Sequence, residues 1–192
     1  MVLKTLKRRL ELGVLVMADF AIEIDGLTRR FGKNVAVNNL SLNVPEGCVF
    51  GFLGRNGAGK TTTIQMLMNL LRPSEGQARV LGCDPDKDEL AIKQRIGYVS
   101  DNPAFYDWMT VDELVWFTGK LYTNWDHGKA NSLLDRFDLD RTQKIKALSR
   151  GMKAQVALTL ALGHNPELLI LDEPSSGLDV VVRRDFWRAS FR

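Results

Sequence analysis

Residues 48–71 constrain the fold more than any other stretch of the chain. The segment CVFGFLG is continuously apolar or small, as a strand covered on both faces would be. It runs without a break into a glycine-rich loop, Gly54-Arg55-Asn56-Gly57-Ala58-Gly59-Lys60-Thr61, and then into TTTIQMLMNLL. There Ile64, Leu67, Met68 and Leu71 recur at the spacing of one helical face. A buried strand, a tight loop and a helix in that order belong to an open, mainly parallel sheet with helices on its faces.

The stretches on either side fit that frame. In FAIEIDGL, Phe20, Ile22 and Ile24 alternate with Ala21, Glu23 and Asp25, and NLSLNVPEG repeats the pattern with Leu40, Leu42 and Val44. Period-two runs closed by Gly, Asn and Pro predict half-buried antiparallel strands, so residues 18–50 read as a small β layer. QARVLG and RIGYVS follow as short strands. Residues 102–150 change character. Thr110 with Glu113 three positions on predicts a capping box. A second helix is expected over 127–137, with Leu133, Leu134 and Phe137 buried. This is a helical insert. The α/β pattern resumes with a helix over MKAQVALTLALG that Ser149 can cap and that Gly163 and Pro166 can end. LLIL is then a further central strand.

Residues 54–61 fit the pattern G-x-x-x-x-G-K-[ST]. The glycines let the backbone curl so that successive N–H groups point at phosphate oxygens. The following helix adds the positive end of its dipole. Lys60 can reach the β- and γ-phosphates of a nucleotide, and the Thr61 hydroxyl can ligate Mg²⁺. Asp172 ends the LLIL strand, where a carboxylate can hold Mg²⁺ directly or through water. Glu173 leaves the opposite side of the strand and is the candidate to polarise an attacking water.

Four ordered motifs, GRNGAGKTT, LSRGM at 148–152, LLILDEP at 168–174 and SGLD at 176–179, resemble those of ATP-binding cassette ATPases. The resemblance covers residues 18–188 and is nearest to the ATPase subunits of bacterial exporters. It implies an α/β P-loop NTPase with a mainly parallel central sheet, an N-terminal antiparallel β layer and a helical insert. ATP and Mg²⁺ are the implied cofactors. In that family Phe31, in RRFGK, takes the place of the aromatic that stacks on adenine. Gly54, Arg55, Asn56, Gly57, Ala58, Gly59, Lys60, Thr61 and Thr62 hold the phosphates. Ser149 and Gly151 clamp the γ-phosphate of ATP carried by a second subunit, and Asp179 lies where two subunits meet. Thr61, Asp172 and Asp101 face the metal, and Glu173, Lys60 and Asp101 serve catalysis. Phe105, Tyr106, Trp108 and Met109 lie where a membrane permease docks, though ordinary packing of the insert accounts for them equally well. The implied partners are a second cassette and a separate permease. The implied location is cytoplasmic, peripheral on the inner face of the cell membrane.

The pattern is also departed from. Asp101 stands where the family has Gln or Glu, and Arg150 replaces the first glycine of the familiar signature. The family's switch histidine lies beyond the catalytic glutamate, whereas His127 and His164 both precede Glu173. They read as a surface residue and a post-helix turn residue, and the chain as truncated. Two rivals stand beside the transporter reading: a nucleotide-binding fragment without turnover, and a soluble cassette ATPase that does not transport.

Composition narrows the rest. Lys4, Lys7, Arg8 and Arg9 against Glu11 account for the whole net charge of +3. The remainder is neutral, so charge gives no case for a nucleic-acid surface. Cys48 and Cys83 lack metal-ligand spacing and read as reduced thiols. No apolar run approaches the ~18 residues of a membrane span. Residues 1–17 read as an N-terminal extension before the domain at 18–192. Leu3, Leu6 and Leu10 share a helical face there, and an amphipathic surface helix or a signal peptide are the other two readings.

Overall fold

The computed structural model describes residues 2–5 and 20–173. Expectations placed on 6–19 and on 174–192, among them the role of Asp179, lie outside the described residues. The chain divides into two compact units, Met1–Arg95 and Ile96–Arg192.

The first unit is built on an antiparallel layer. Strand β2 (Phe20–Phe31) turns at Gly32-Lys33 into β3 (Asn34–Pro45), with Phe31 facing Asn34, Arg29 facing Val37 and Leu27 facing Leu40. Of the residues expected on the inner side, Ile22, Ile24 and Val44 are buried and Phe20, Leu40 and Leu42 half-buried, while Ala21 and Leu27, out of phase with that alternation, are buried as well. Strand β4 (Val49–Gly51) leads toward the glycine loop, and α1 (Lys60–Leu67) follows it. Ile64, Leu67 and Met68 are buried, as the helical spacing requires. The helix stops short of Leu71, because Asn69 takes a left-handed φ of 52°.

Three features differ from expectation. Strand β5 (Glu75–Val80) pairs antiparallel with β2 in the order β3-β2-β5, so the antiparallel layer extends beyond the residues 18–50 expected of it. Its register starts where Ser74 N–H donates to the Thr28 carbonyl at 2.8 Å. Next, β4 is not buried on both faces: Val49 is 57% exposed, and Leu53 beyond it is 87% exposed. Last, Val2–Thr5 form a strand, β1, antiparallel to β4 with Leu3 opposite Phe50. Leu3 is buried there. A four-residue run that finds a partner strand is satisfied by extended backbone, whatever the helical spacing of its leucines. Helix α2 (Glu89–Arg95) closes the unit, with a Glu89–Lys93 ion pair along its face.

The second unit opens with β6 (Ile96–Val99), which runs parallel to β7 (Leu168–Leu171), Ile96 facing Leu168 and Val99 facing Leu171. Every residue of β7 is buried. That is the doubly covered parallel strand its composition predicts. Between them lie α3 (Val111–Gly119), α4 (His127–Arg136) and α5 (Arg150–Leu162). The capping box is formed: Thr110 N–H donates to Glu113 Oε2 at 2.7 Å, and Glu113 N–H donates to Thr110 Oγ1 at 3.1 Å. Leu133, Leu134 and Phe137 are buried.

Gly163 ends α5 with an ordinary helical φ of −62°. Its reason is space. A Cβ there would lie 2.5 Å from the Trp125 ring, and one at Gly119 would lie 2.9 Å from it. Trp125 is thus wedged between two glycines that join the insert to α5. His127 is exposed and His164 lies in the turn after α5, as expected, but His164 is also fully buried, with Nε2 3.0 Å from the Ile96 carbonyl and its ring stacked 4.0 Å from Tyr122. Among the described residues no helix is long and apolar enough to cross a membrane.

Candidate functional site

The glycine loop is held from below by the antiparallel layer. Gly59 has φ 83°, the left-handed conformation that side chains rarely adopt. A Cβ on it would sit 2.4 Å from the Ala36 carbonyl oxygen and 2.9 Å from Val37. Only glycine lets the loop lie directly on β3. Gly57 shares the conformation, at φ 83°. A turn closes the tip, Ala58 N–H donating to the Arg55 carbonyl at 3.1 Å. Residues 54–58 and Thr61 are exposed, Thr62 is half-buried, and Gly59 and Lys60 are buried. Gly59 precedes α1 as its cap and brings no side-chain acceptor to the first-turn amides. These amides and the helix dipole are the chemistry that attracts an anion. The Lys60 ammonium donates to the carbonyls of Gly54 at 2.8 Å and Arg55 at 3.2 Å, so it lies folded back within its own loop.

The same unit carries the candidate base platform. Phe31 is 47% exposed at the end of β2, paired with Asn34. Ala36, which supports Gly59, is two residues along β3, or roughly 7 Å of extended strand from that pair. The Arg29 guanidinium lies over the Phe31 ring, 4.6 Å from its centroid, a neighbour that sequence reasoning did not find. A separate cavity of about 480 Å³ is lined by residues such as Leu27, Met66, Arg79 and Asp84, but by none of 54–61.

The second unit gathers the other candidates. Asp172 is 3% exposed, and its N–H donates to the Val99 carbonyl at 2.8 Å, continuing the parallel ladder past β7. Glu173 follows with φ 49°, a left-handed conformation that turns the chain sharply at the second carboxylate. Tyr98, on β6, was not singled out from the sequence. Burial and then the nearby Asp172 charge push its pKa up to about 12, so the phenol stays protonated beside the carboxylate. Asp101 is engaged by Arg150, whose Nη2 donates to Asp101 Oδ1 at 2.8 Å. The two departures from the family pattern are therefore partners of each other. Ser149 caps α5, its Oγ accepting from Met152 N–H at 3.2 Å. The hydroxyl still carries a proton to donate to an anion. Gly151 sits half-buried in the first turn of α5.

Tyr106 and Trp108 are exposed, 52% and 64%, with ring centroids 6.0 Å apart, and Phe117 meets Tyr106 edge-on. Met109 is buried, so that side of the segment is ordinary core. Among the described residues no group of three or more His, Cys, Asp or Glu side chains is placed to hold a metal ion. Mg²⁺ does not need such a cage, since it keeps waters and takes one or two protein oxygens beside substrate phosphates. The exposed Thr61 hydroxyl of the first unit and the Asp172 carboxylate of the second each offer, taken separately, an oxygen of the kind Mg²⁺ accepts.

The protein-family signature described as ABC transporter matches residues 37–176, which include the glycine loop, the signature and the two carboxylates. The chain belongs to the ABC transporter family. It is 39% identical over 162 residues to the bacitracin transport ATP-binding protein BcrA of Bacillus licheniformis, covering 83% of this chain and 53% of BcrA. It is 38% identical over 176 residues to the daunorubicin resistance ATP-binding protein DrrA3 of Streptomyces coeruleorubidus, covering 89% and 56% respectively. The chain thus spans about half the length of the curated relatives it matches. A solved structure described as the ATP binding subunit of an ABC transporter superposes with a TM-score of 0.75 at 22% identity, over 88% of this chain and 73% of that one. The cbiO1 protein from Clostridium perfringens, described as part of the ABC transporter complex cbiONQ, gives 0.69 at 24% identity over 90% and 72%. These superpositions establish the α/β P-loop fold of the ABC ATPases.

Proposed function

We propose that the chain is the ATP-binding and ATP-hydrolysing part of a membrane transporter, an exporter, acting at the inner face of the cell membrane. The observation that carries this is the seating of Gly59 against Ala36 on the strand that also pairs with Phe31. It supports one ligand with a phosphate tail at the loop and a flat base at the aromatic. Residues 54–62 take the phosphates, Lys60 turning from its own carbonyls to the β- and γ-phosphates. Thr61 and Asp172 would hold Mg²⁺, which when bound neutralises charge on the transferred phosphoryl group. Glu173 orients the attacking water and accepts its proton. Asp101 serves the metal or the water once Arg150 releases it. Ser149 and Gly151 face the ATP of a second cassette, so hydrolysis is tied to dimer closure. The exposed Tyr106 and Trp108 suit contact with a separate permease. The names of BcrA and DrrA3 support export of drug-like compounds.

Phosphate release from Mg-ATP, measured for the chain and for Glu173→Gln, tests the enzyme claim. We expect Glu173→Gln to lose 100-fold or more, in the range of a lost general base. Equal release from both would remove Glu173 from its role. Isolation with a multi-span membrane protein supports the transporter assignment, and isolation with ribosomes would replace it with a soluble cassette ATPase.

A further inference from the structure

Phe31 projects at the end of a hairpin, and nearly half of it is exposed. A ring in that position samples several rotamers, and a base stacking on it must first order it. We propose that Arg29 is a positioning residue that fixes the Phe31 ring for stacking and so makes binding depend on the nucleobase. This rests on the nucleotide reading of the site given above.

Three observations carry it. Arg29 and Phe31 are two residues apart on β2, where the pairing with β3 is irregular between Arg29 and Arg30. The guanidinium carbon lies 4.6 Å from the ring centroid, a cation–π contact that covers one face. The guanidinium is itself anchored, since Nη1 donates at 2.8 Å to the Arg72 carbonyl in the turn after α1. Arg29 Nε is buried with no hydrogen-bond partner. A fork placed for hydrogen bonding alone would not leave that donor orphaned, whereas one placed to lie flat on a ring can. The platform is thereby tied to the segment that ends the phosphate-loop helix, while Gly59 ties the start of that helix to β3. A planar cation on one face leaves the other for a planar base, giving a stack of guanidinium, phenyl and purine.

The test is calorimetric titration of the full chain with Mg-ATP and, separately, with Mg-tripolyphosphate, which has the phosphates and no base. Arg29→Ala should weaken ATP about fivefold, the scale of one exposed cation–π contact, and leave tripolyphosphate unchanged. Arg29→Lys, which keeps a cation over the ring, should recover most of the loss. In a Phe31→Ala background Arg29→Ala should have no further effect. Unchanged or tighter ATP binding by Arg29→Ala overturns the proposal, the tighter case meaning that the guanidinium blocks the base. Equal losses for both ligands overturn it as well, because that is the mark of general damage to the loop. If the unaltered chain binds neither ligand, the nucleotide reading falls and this proposal with it.

Discussion

Gly59 carries two separate constraints, a left-handed φ of 83° and a Cβ position 2.4 Å from the Ala36 carbonyl. Either alone disfavours a side chain. Gly59→Ala should therefore lower the urea midpoint by an amount equivalent to about 1–3 kcal/mol, and Mg-ATP affinity should fall with it. An unchanged midpoint would mean that the loop is not seated on β3. The ion pair of Arg150 and Asp101 is a contrast, because its side chains are 56% and 48% exposed. Such a pair is worth at most about 1 kcal/mol. Arg150→Gly should leave the midpoint within that range, and a larger drop would show a structural role. The glycines, Lys60 and the two carboxylates were legible in the sequence because the chemistry demands those residue types at that spacing. The partnership of Asp101 with Arg150 and of Arg29 with Phe31 was not. The first joins positions 49 residues apart, and the second depends on a rotamer that no periodicity encodes.

Helices α1, α3, α4 and α5 were legible, since an apolar stripe or a cap is a local signal, whereas α2 (Glu89–Arg95) was not read from the sequence. Thr110→Ala should destabilise the chain by about 1 kcal/mol through loss of the capping box, read from denaturant unfolding. The junction between the insert and α5 was illegible, because it is made by tertiary contacts. Asn124 Nδ2 donates at 2.6 Å to the His164 carbonyl, Asp126 N–H donates at 2.7 Å to the Gly163 carbonyl, and Lys129 Nζ donates at 2.9 Å to Asn165 Oδ1. His164 is buried among them, and that burial holds its pKa below the ordinary 6.5. The unfolded chain then takes up the proton more readily than the folded one. The stability contributed by the neutral ring is fully present above about pH 6.5 and is lost as the pH falls through the lower folded value. His164→Gln should flatten that part of the stability curve in thermal unfolding from pH 7 to 5. An unaltered slope would mean that His164 does not titrate with folding. Strand β5 was legible as a strand but not in its partner, since a six-residue strand says nothing about which neighbour it chooses.

At the scale of the whole chain, the α/β class followed from the order of strand, glycine loop, helix, insert, helix and strand. The N-terminal residues did not follow, because Leu3 pairs with Phe50, a partner 47 residues away, and nothing local announces it. The exposure of β4 is likewise a property of its neighbours and not of its apolar composition. The proposed function rests on a nucleotide held by residues 54–61. The most direct test is titration of Mg-ATP into the chain and into Lys60→Ala. The account predicts saturable binding by the chain and at least a tenfold loss in the variant, about the 1.4 kcal/mol or more expected of one charge-assisted contact to phosphate. Equal affinity in the two would contradict it.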